Sequence, residues 1–231
     1  MVNPLLRSFS NKYKKRFTYM IAVSILLVLL PYEKVYSENV QEYQVNVDLW
    51  QKKLYVINGK KIIRTYMIGP GTEDSPTPIG TFEITKKSKS WGGGFGSRWL
   101  GLNVPWGDYG IHGTNKPWLV GKNVSHGCIR MRNEDVEELF ELVSEGTVVH
   151  IYGPLTGIGK GEFKNLSYGS KGNLVQLVQD RLKQLGIYNG EVHGIFDKNT
   201  EHAVKKFQKD NNLPINGGIT EREYLLLGIL E

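Results

Sequence analysis

The sequence predicts a mainly β domain with one or two short helices, followed by a small all-α domain of three helices. Three observations carry that prediction. Residues 43–66 alternate apolar and polar side chains around Asn58-Gly59, the pattern of half-buried strands joined by a tight turn. Residues 153–165 are glycine-rich, include Pro154 and hold few large apolar side chains, so they read as a linker. From residue 166 onward, apolar residues recur at spacings of three and four in runs that end at glycines.

The chain of 231 residues has room for one medium and one small domain, and 40% hydrophobic with 23% charged residues is ordinary for a globular protein. Its net charge of +6 is unevenly spread. Residues 1–37 hold Arg7, Lys12, Lys14, Lys15, Arg16 and Lys34 against Glu33 alone, which is +5 of the total. The basic bias belongs to this leader and argues against nucleic acid as a partner. Within it, the basic run Lys12 to Arg16 precedes a predominantly apolar run of 14 residues, Phe17 to Leu30. That is shorter than the roughly twenty residues a spanning helix needs and matches a secretory signal. Val35-Tyr36-Ser37 suits cleavage after Ser37; an uncleaved membrane anchor over residues 1–37 is the alternative. Either way the basic side stays inside and the remainder is exported, meeting the membrane only through the leader.

Three strands open the first domain, residues 43–152. Tyr43 to Leu49 alternates, and Lys53 to Ile57 and Lys61 to Tyr66 flank Asn58-Gly59, a hairpin signal with positive φ expected at both central positions. Pro76-Thr77-Pro78-Ile79-Gly80-Thr81-Phe82 reads as an extended loop entering a strand. Ser90-Trp91-Gly92-Gly93-Gly94-Phe95-Gly96 has neither a P-loop ending nor GxGxxG, so it reads as a loop bordering a cleft rather than a phosphate cradle. Trp99 is read as packing and Trp91 is left open between packing and lining the cleft. Tyr109 to His112 is a strand ending at His112. Asn133 is the expected N-cap of a helix with Glu134 and Asp135 in its first turn and an apolar stripe of Val136, Leu139, Phe140 and Val143. Thr147 to Tyr152 closes the domain, with His150 structural.

In residues 166–231, Val175, Val178, Leu182 and Leu185 mark one amphipathic helix ending at Gly186. Ala203, Val204 and Phe207 mark a second, and a third starts near Thr220.

Candidate chemistry centres on Ser125-His126-Gly127-Cys128-Ile129-Arg130. Cys128 is the only cysteine, so it has no internal disulfide partner. If the stretch is extended, His126, Cys128 and Arg130 share one face, and Gly127, without a Cβ, lets its backbone N–H approach a substrate. A lone cysteine is usually a small buried hydrophobe and a lone histidine usually scaffold. Here a second imidazole, His112, stands sixteen residues before the only thiol. A thiol, an imidazole and a guanidinium suit attack on a carbonyl beside a carboxylate. Spacing alone does not decide between His112 and His126 as base.

His112, Ser125-His126-Gly127-Cys128 and Arg130 resemble the signature of the L,D-transpeptidase (YkuD-type) catalytic domain, and Pro76-Thr77-Pro78-Ile79-Gly80-Thr81-Phe82 resembles a further segment of it. The tail is similar to the three-helix peptidoglycan-binding domain through Leu185-Gly186-Ile187-Tyr188, Gly194-Ile195-Phe196 and Phe207-Gln208, among others. That family usually has Asp-Gly-x-Phe-Gly where this chain has His193-Gly194-Ile195-Phe196-Asp197. The resemblance implies a YkuD-like β-sheet fold and an exported, wall-acting enzyme whose partners are peptidoglycan stem peptides and glycan, with no metal or cofactor. It implies Cys128 as nucleophile, His112 as proton acceptor and donor, and Gly113 as backbone orienter of His112. His126 would support the oxyanion, and Arg130, Ser125 and Gly127 would bind substrate. The reaction implied joins stem peptides by 3→3 cross-links with release of D-alanine. An L,D-carboxypeptidase on the same scaffold and a non-catalytic wall-binding protein are the alternatives. A zinc peptidase would need a ligand cluster such as HExxH, and a sortase a Thr-Leu-x-Thr-Cys strand; neither is present.

Overall fold

The computed structural model describes residues 43–89, 92–156 and 163–230. The leader, Trp91 and the middle of the proposed linker lie outside the described residues. Among those residues no helix is long and apolar enough to cross a membrane.

Eight strands form one sheet: β1 (Tyr43–Asp48), β2 (Lys53–Asn58), β3 (Lys61–Met67), β4 (Gly80–Ser88), β5 (Trp99–Leu102), β6 (Tyr109–His112), β7 (Ile129–Arg130) and β8 (Val148–Tyr152). The spatial order is β3-β2-β1-β8-β4-β5-β6-β7. β1–β8 and β6–β7 are parallel and the other pairs antiparallel. Alternation in β1 and β2 turns Val45, Val47, Leu54 and Val56 into the core. All four residues of β5 are buried, so no alternation marks it. Helix α1 (Asn133–Leu142) adds Val136, Leu139 and Phe140 to the same core.

The hairpin between β2 and β3 differs from the expected one. Asn58 pairs with Lys61, so the central residues are Gly59 and Lys60. Gly59 alone has positive φ, at 59°. Glycine at the first central position is the pattern of a II′ turn, which needs left-handed backbone only there. Asn133 is also not the N-cap. Arg132 holds that position and Asn133 is the first helical residue.

The second module contains α2 (Asn173–Gln184), α3 (Lys198–Asp210) and α4 (Glu221–Leu226). Val175, Val178, Leu182, Phe196, Val204, Phe207 and Tyr224 fill its core. Leu185, expected on the apolar stripe, is exposed. The helix stops there, Gly186 turns the chain at φ 70°, and Ile187 and Tyr188 fill the core in its place. Asp197 caps α3 by accepting from Thr200 N–H, and Thr220 with Glu223 forms a capping box on α4. Two buried glutamines tie the loops. Gln179 accepts from Gly194 N–H, and Gln208 accepts from Gly217 N–H, each at 2.9 Å.

Candidate active site

The site lies on two short parallel strands at one end of the sheet. In the β6–β7 pairing Ile111 faces Ile129 and His112 faces Arg130, while Trp99 of β5 flanks His112 from the other side. Cys128 immediately precedes β7. Its sulfur is 4.0 Å from Asp108 O and is also approached by the backbone N–H of Gly110. Thus His112, Cys128 and Arg130 gather at β6 and β7.

His112 is 3% exposed. Its imidazole stacks on Trp99 at 5.7 Å between centroids and meets Phe95 edge-on at 4.9 Å. Nδ1 lies 2.5 Å from Gly113 O. A carbonyl only accepts, so the ring proton sits on Nδ1 and the lone pair on Nε2. Burial pushes the imidazole pKa down to about 4; the Gly113 and Phe95 carbonyls pull it upward and the Arg130 charge pushes it further down. His112 is therefore neutral at pH 7.

Cys128 is half-buried, and burial raises its thiol above an ordinary cysteine. The Gly110 N–H and Arg130 favour the thiolate but do not outweigh that burial. The resting site holds a thiol and a neutral imidazole, not a preformed ion pair.

The stretch before Cys128 is not a continuous strand. Only Ile129–Arg130 is extended, and Gly127 has φ 104°, a left-handed conformation that L side chains rarely adopt. A methyl group at 127 would also sit 2.5 Å from the Tyr109 ring. Period-two alternation therefore does not apply to residues 126–128. His126 is exposed, on the wall of a cavity of about 700 Å³ that it shares with Tyr109.

Ser125 is 1% exposed, and its hydroxyl is spent inside the turn. Oγ donates to Cys128 O at 2.5 Å and accepts Gly127 N–H at 3.1 Å. Both bonds lie within the turn. Ser125 shapes the turn, and the Gly127 N–H donates to its hydroxyl. Residues 69–72 fasten the outside of the turn, with Gly69 exchanging two backbone bonds with Arg130 and Thr72 N–H donating to Ser125 O.

Asn133 is a positioning residue that the sequence reading missed. Its Oδ1 accepts from Thr114 N–H at 3.1 Å and Ser97 N–H at 3.2 Å. It so ties the loop following His112-Gly113 to the segment entering β5. A side chain at Gly113 would run into this carboxamide. Asn133→Ala is expected to cost about 1–3 kcal/mol of stability by orphaning two N–H groups. Asn133→Asp, which keeps an acceptor oxygen, should recover most of that in denaturant titration.

Among the described residues no group of three or more His, Cys, Asp or Glu side chains gathers as a metal site. His193, in the second module, accepts from Ile195 N–H through Nδ1 and lies 3.6 Å from Asp197.

Comparison with known proteins follows the same division. The L,D-transpeptidase catalytic domain family, YkuD, matches residues 42–151, and the peptidoglycan binding domain family matches residues 171–223. The Bacillus subtilis protein named L,D-transpeptidase YkuD is 43% identical over 109 residues, 47% of this chain and 65% of that protein. The Bacillus subtilis protein named L,D-transpeptidase YqjB is 40% identical over 114 residues, 43% of this chain and 65% of that protein. The chain thus spans just under two thirds of the length of these relatives. Among solved structures, an L,D-transpeptidase from Mycobacterium smegmatis is 25% identical with a TM-score of 0.40, covering 48% of this chain and 59% of that one. By these matches, residues 42–151 belong to the YkuD-type L,D-transpeptidase catalytic domain family and residues 171–223 to the peptidoglycan-binding domain family.

Proposed function

We propose that the protein is an exported cysteine L,D-transpeptidase that forms 3→3 cross-links between peptidoglycan stem peptides. The observation that carries this reading is the His112–Gly113 bond, which leaves a neutral imidazole with its lone pair on Nε2, on the strand beside the one that Cys128 immediately precedes. The site residues take the following roles. His112 accepts the Cys128 proton as sulfur attacks the carbonyl carbon of the bond preceding the terminal D-alanine. The C–N bond breaks, the D-alanine nitrogen takes the proton back from His112, and a thioester remains on Cys128. An amine of a second stem attacks the thioester, gives a proton to His112, and leaves an amide while the thiol is restored. Arg130 attracts the substrate carboxylate, and His126 faces the substrate from the cavity wall. The second module holds the enzyme to the wall glycan, and residues 1–37 direct export or anchor the chain.

The resting state has a spectroscopic consequence. Because burial raises the Cys128 thiol, the ultraviolet difference between the unaltered protein and Cys128→Ala should contain no thiolate band at pH 7. The band should grow only on the alkaline side of an ordinary cysteine. A full thiolate band at pH 7 would mean that the ion pair exists at rest.

Product analysis tests the reaction. The full chain is incubated with purified disaccharide-tetrapeptide and the products are weighed by mass spectrometry. D-alanine release with a covalent dimer supports the transpeptidase. D-alanine release without dimer makes water the acceptor and the protein a carboxypeptidase. No release of D-alanine, with wall binding retained, leaves a binding protein.

A further inference from the structure

The two modules are fastened together at one buried residue. Asn173, the first residue of α2, is 5% exposed although its side chain is polar. Its Oδ1 accepts from Ile79 N–H at 3.0 Å, and its Nδ2 donates to Thr77 O at 3.1 Å and Leu155 O at 3.3 Å. All three partners belong to the β domain or the segment leaving it. A second contact reinforces this one. The Gly194 backbone lies so close to the Trp106 ring that a methyl group there would stand 2.6 Å from it, and Ile195 packs against the β-domain core. A buried amide with three hydrogen bonds to the other module, beside a glycine fitted to an indole, fixes orientation.

Residues of both modules line the open cavity of about 700 Å³, which includes Tyr109 and His126. Its lining carries Glu73 and Asp74, from the loop before β4, together with Lys164, at the end of the linker, and Lys171, just before α2 of the helical module. Lys164 and Asp74 are 3.8 Å apart with both side chains largely exposed, a pair that water screens and a ligand can readily part. The volume is that of a small-molecule or short-peptide site.

We propose that the helical module supplies one wall of the substrate cleft, and that a short peptide bearing both a free amine and a free carboxylate binds between Glu73/Asp74 and Lys164/Lys171 on its way to Cys128. The inference rests on the peptidoglycan reading above, since stem peptides have this mixed charge. It gives the module a part in recognising the peptide, beyond holding the wall. Asn173 acts as the positioning residue that keeps the lysines and the acids in one cavity.

Calorimetric titration of the full chain with the soluble stem tetrapeptide tests this, in a Cys128→Ala background so that nothing turns over. Lys164→Glu with Lys171→Glu should raise Kd about tenfold or more, because two attractive charges become repulsive. Both lysines are exposed, so the fold is unaffected. Lys206→Glu with Lys209→Glu makes the same change in net charge on exposed positions of α3, outside the cavity, and should leave Kd unchanged. Asn173→Ala should weaken binding while the spectrum of the folded protein is kept. Equal Kd for the unaltered and Lys164→Glu/Lys171→Glu proteins would overturn the composite cleft and leave the catalytic reading standing. An equal loss in the Lys206/Lys209 control would reduce the effect to bulk charge and overturn it too. No binding by any of the proteins would overturn the peptide-substrate reading itself.

Discussion

Replacing Cys128 by alanine is expected to lower D-alanine release by about 10⁴-fold or more, the scale on which loss of a covalent nucleophile is felt. The fold should survive. Cys128 is half-buried, its sulfur makes only weak contacts with Asp108 and Gly110, and the turn that carries it is held by Ser125 Oγ and by residues 69–72. None of those bonds uses the thiol. Circular dichroism and binding to isolated wall material should therefore be unchanged while turnover disappears. Turnover within tenfold of the unaltered protein would place the chemistry elsewhere.

The second large effect separates the two histidines. His112→Asn is expected to reduce kcat by about 10²–10⁴-fold, the usual contribution of a positioned general base. His126→Asn, at an exposed position, should change kcat less than about tenfold and act mainly on KM. The pH profile of kcat/KM gives an independent reading. His112 must be neutral to accept a proton, and its pKa is held down to about 4 by burial. Activity should accordingly persist as the pH falls below the usual imidazole value near 6.5 and be lost only as it approaches about 4. An acid limb near 6.5 would contradict the buried His112 as the base.

The β hairpin, the strand ending at His112 and the helix-with-glycine pattern of the tail were legible because each is a local pattern of a few residues. The pairing of β8 with β1 and β4 was not, since it joins segments about seventy to a hundred residues apart and leaves no periodic trace. β5 was invisible as a strand for a related reason: buried on both faces, it does not alternate. At the site, the residue types Cys128, His112 and Arg130 could be read from spacing and resemblance. The assumption of an extended Ser125–Arg130 segment could not survive Gly127, whose positive φ breaks the two-residue period. Asn133 left a signal at the start of a helix, but its carboxamide turns away from the helix to Ser97 and Thr114. Asn173 left none, because its three partners lie in the other module or the segment leading from it.

The most direct test of the central claim is intact-protein mass spectrometry of the full chain, quenched in acid soon after mixing with disaccharide-tetrapeptide and followed by peptide mapping. The account predicts an adduct equal to the stem without its terminal D-alanine, located on Cys128, formed with one D-alanine released per adduct and absent from Cys128→Ala. D-alanine release with no adduct on Cys128, or release that persists in Cys128→Ala, would contradict it.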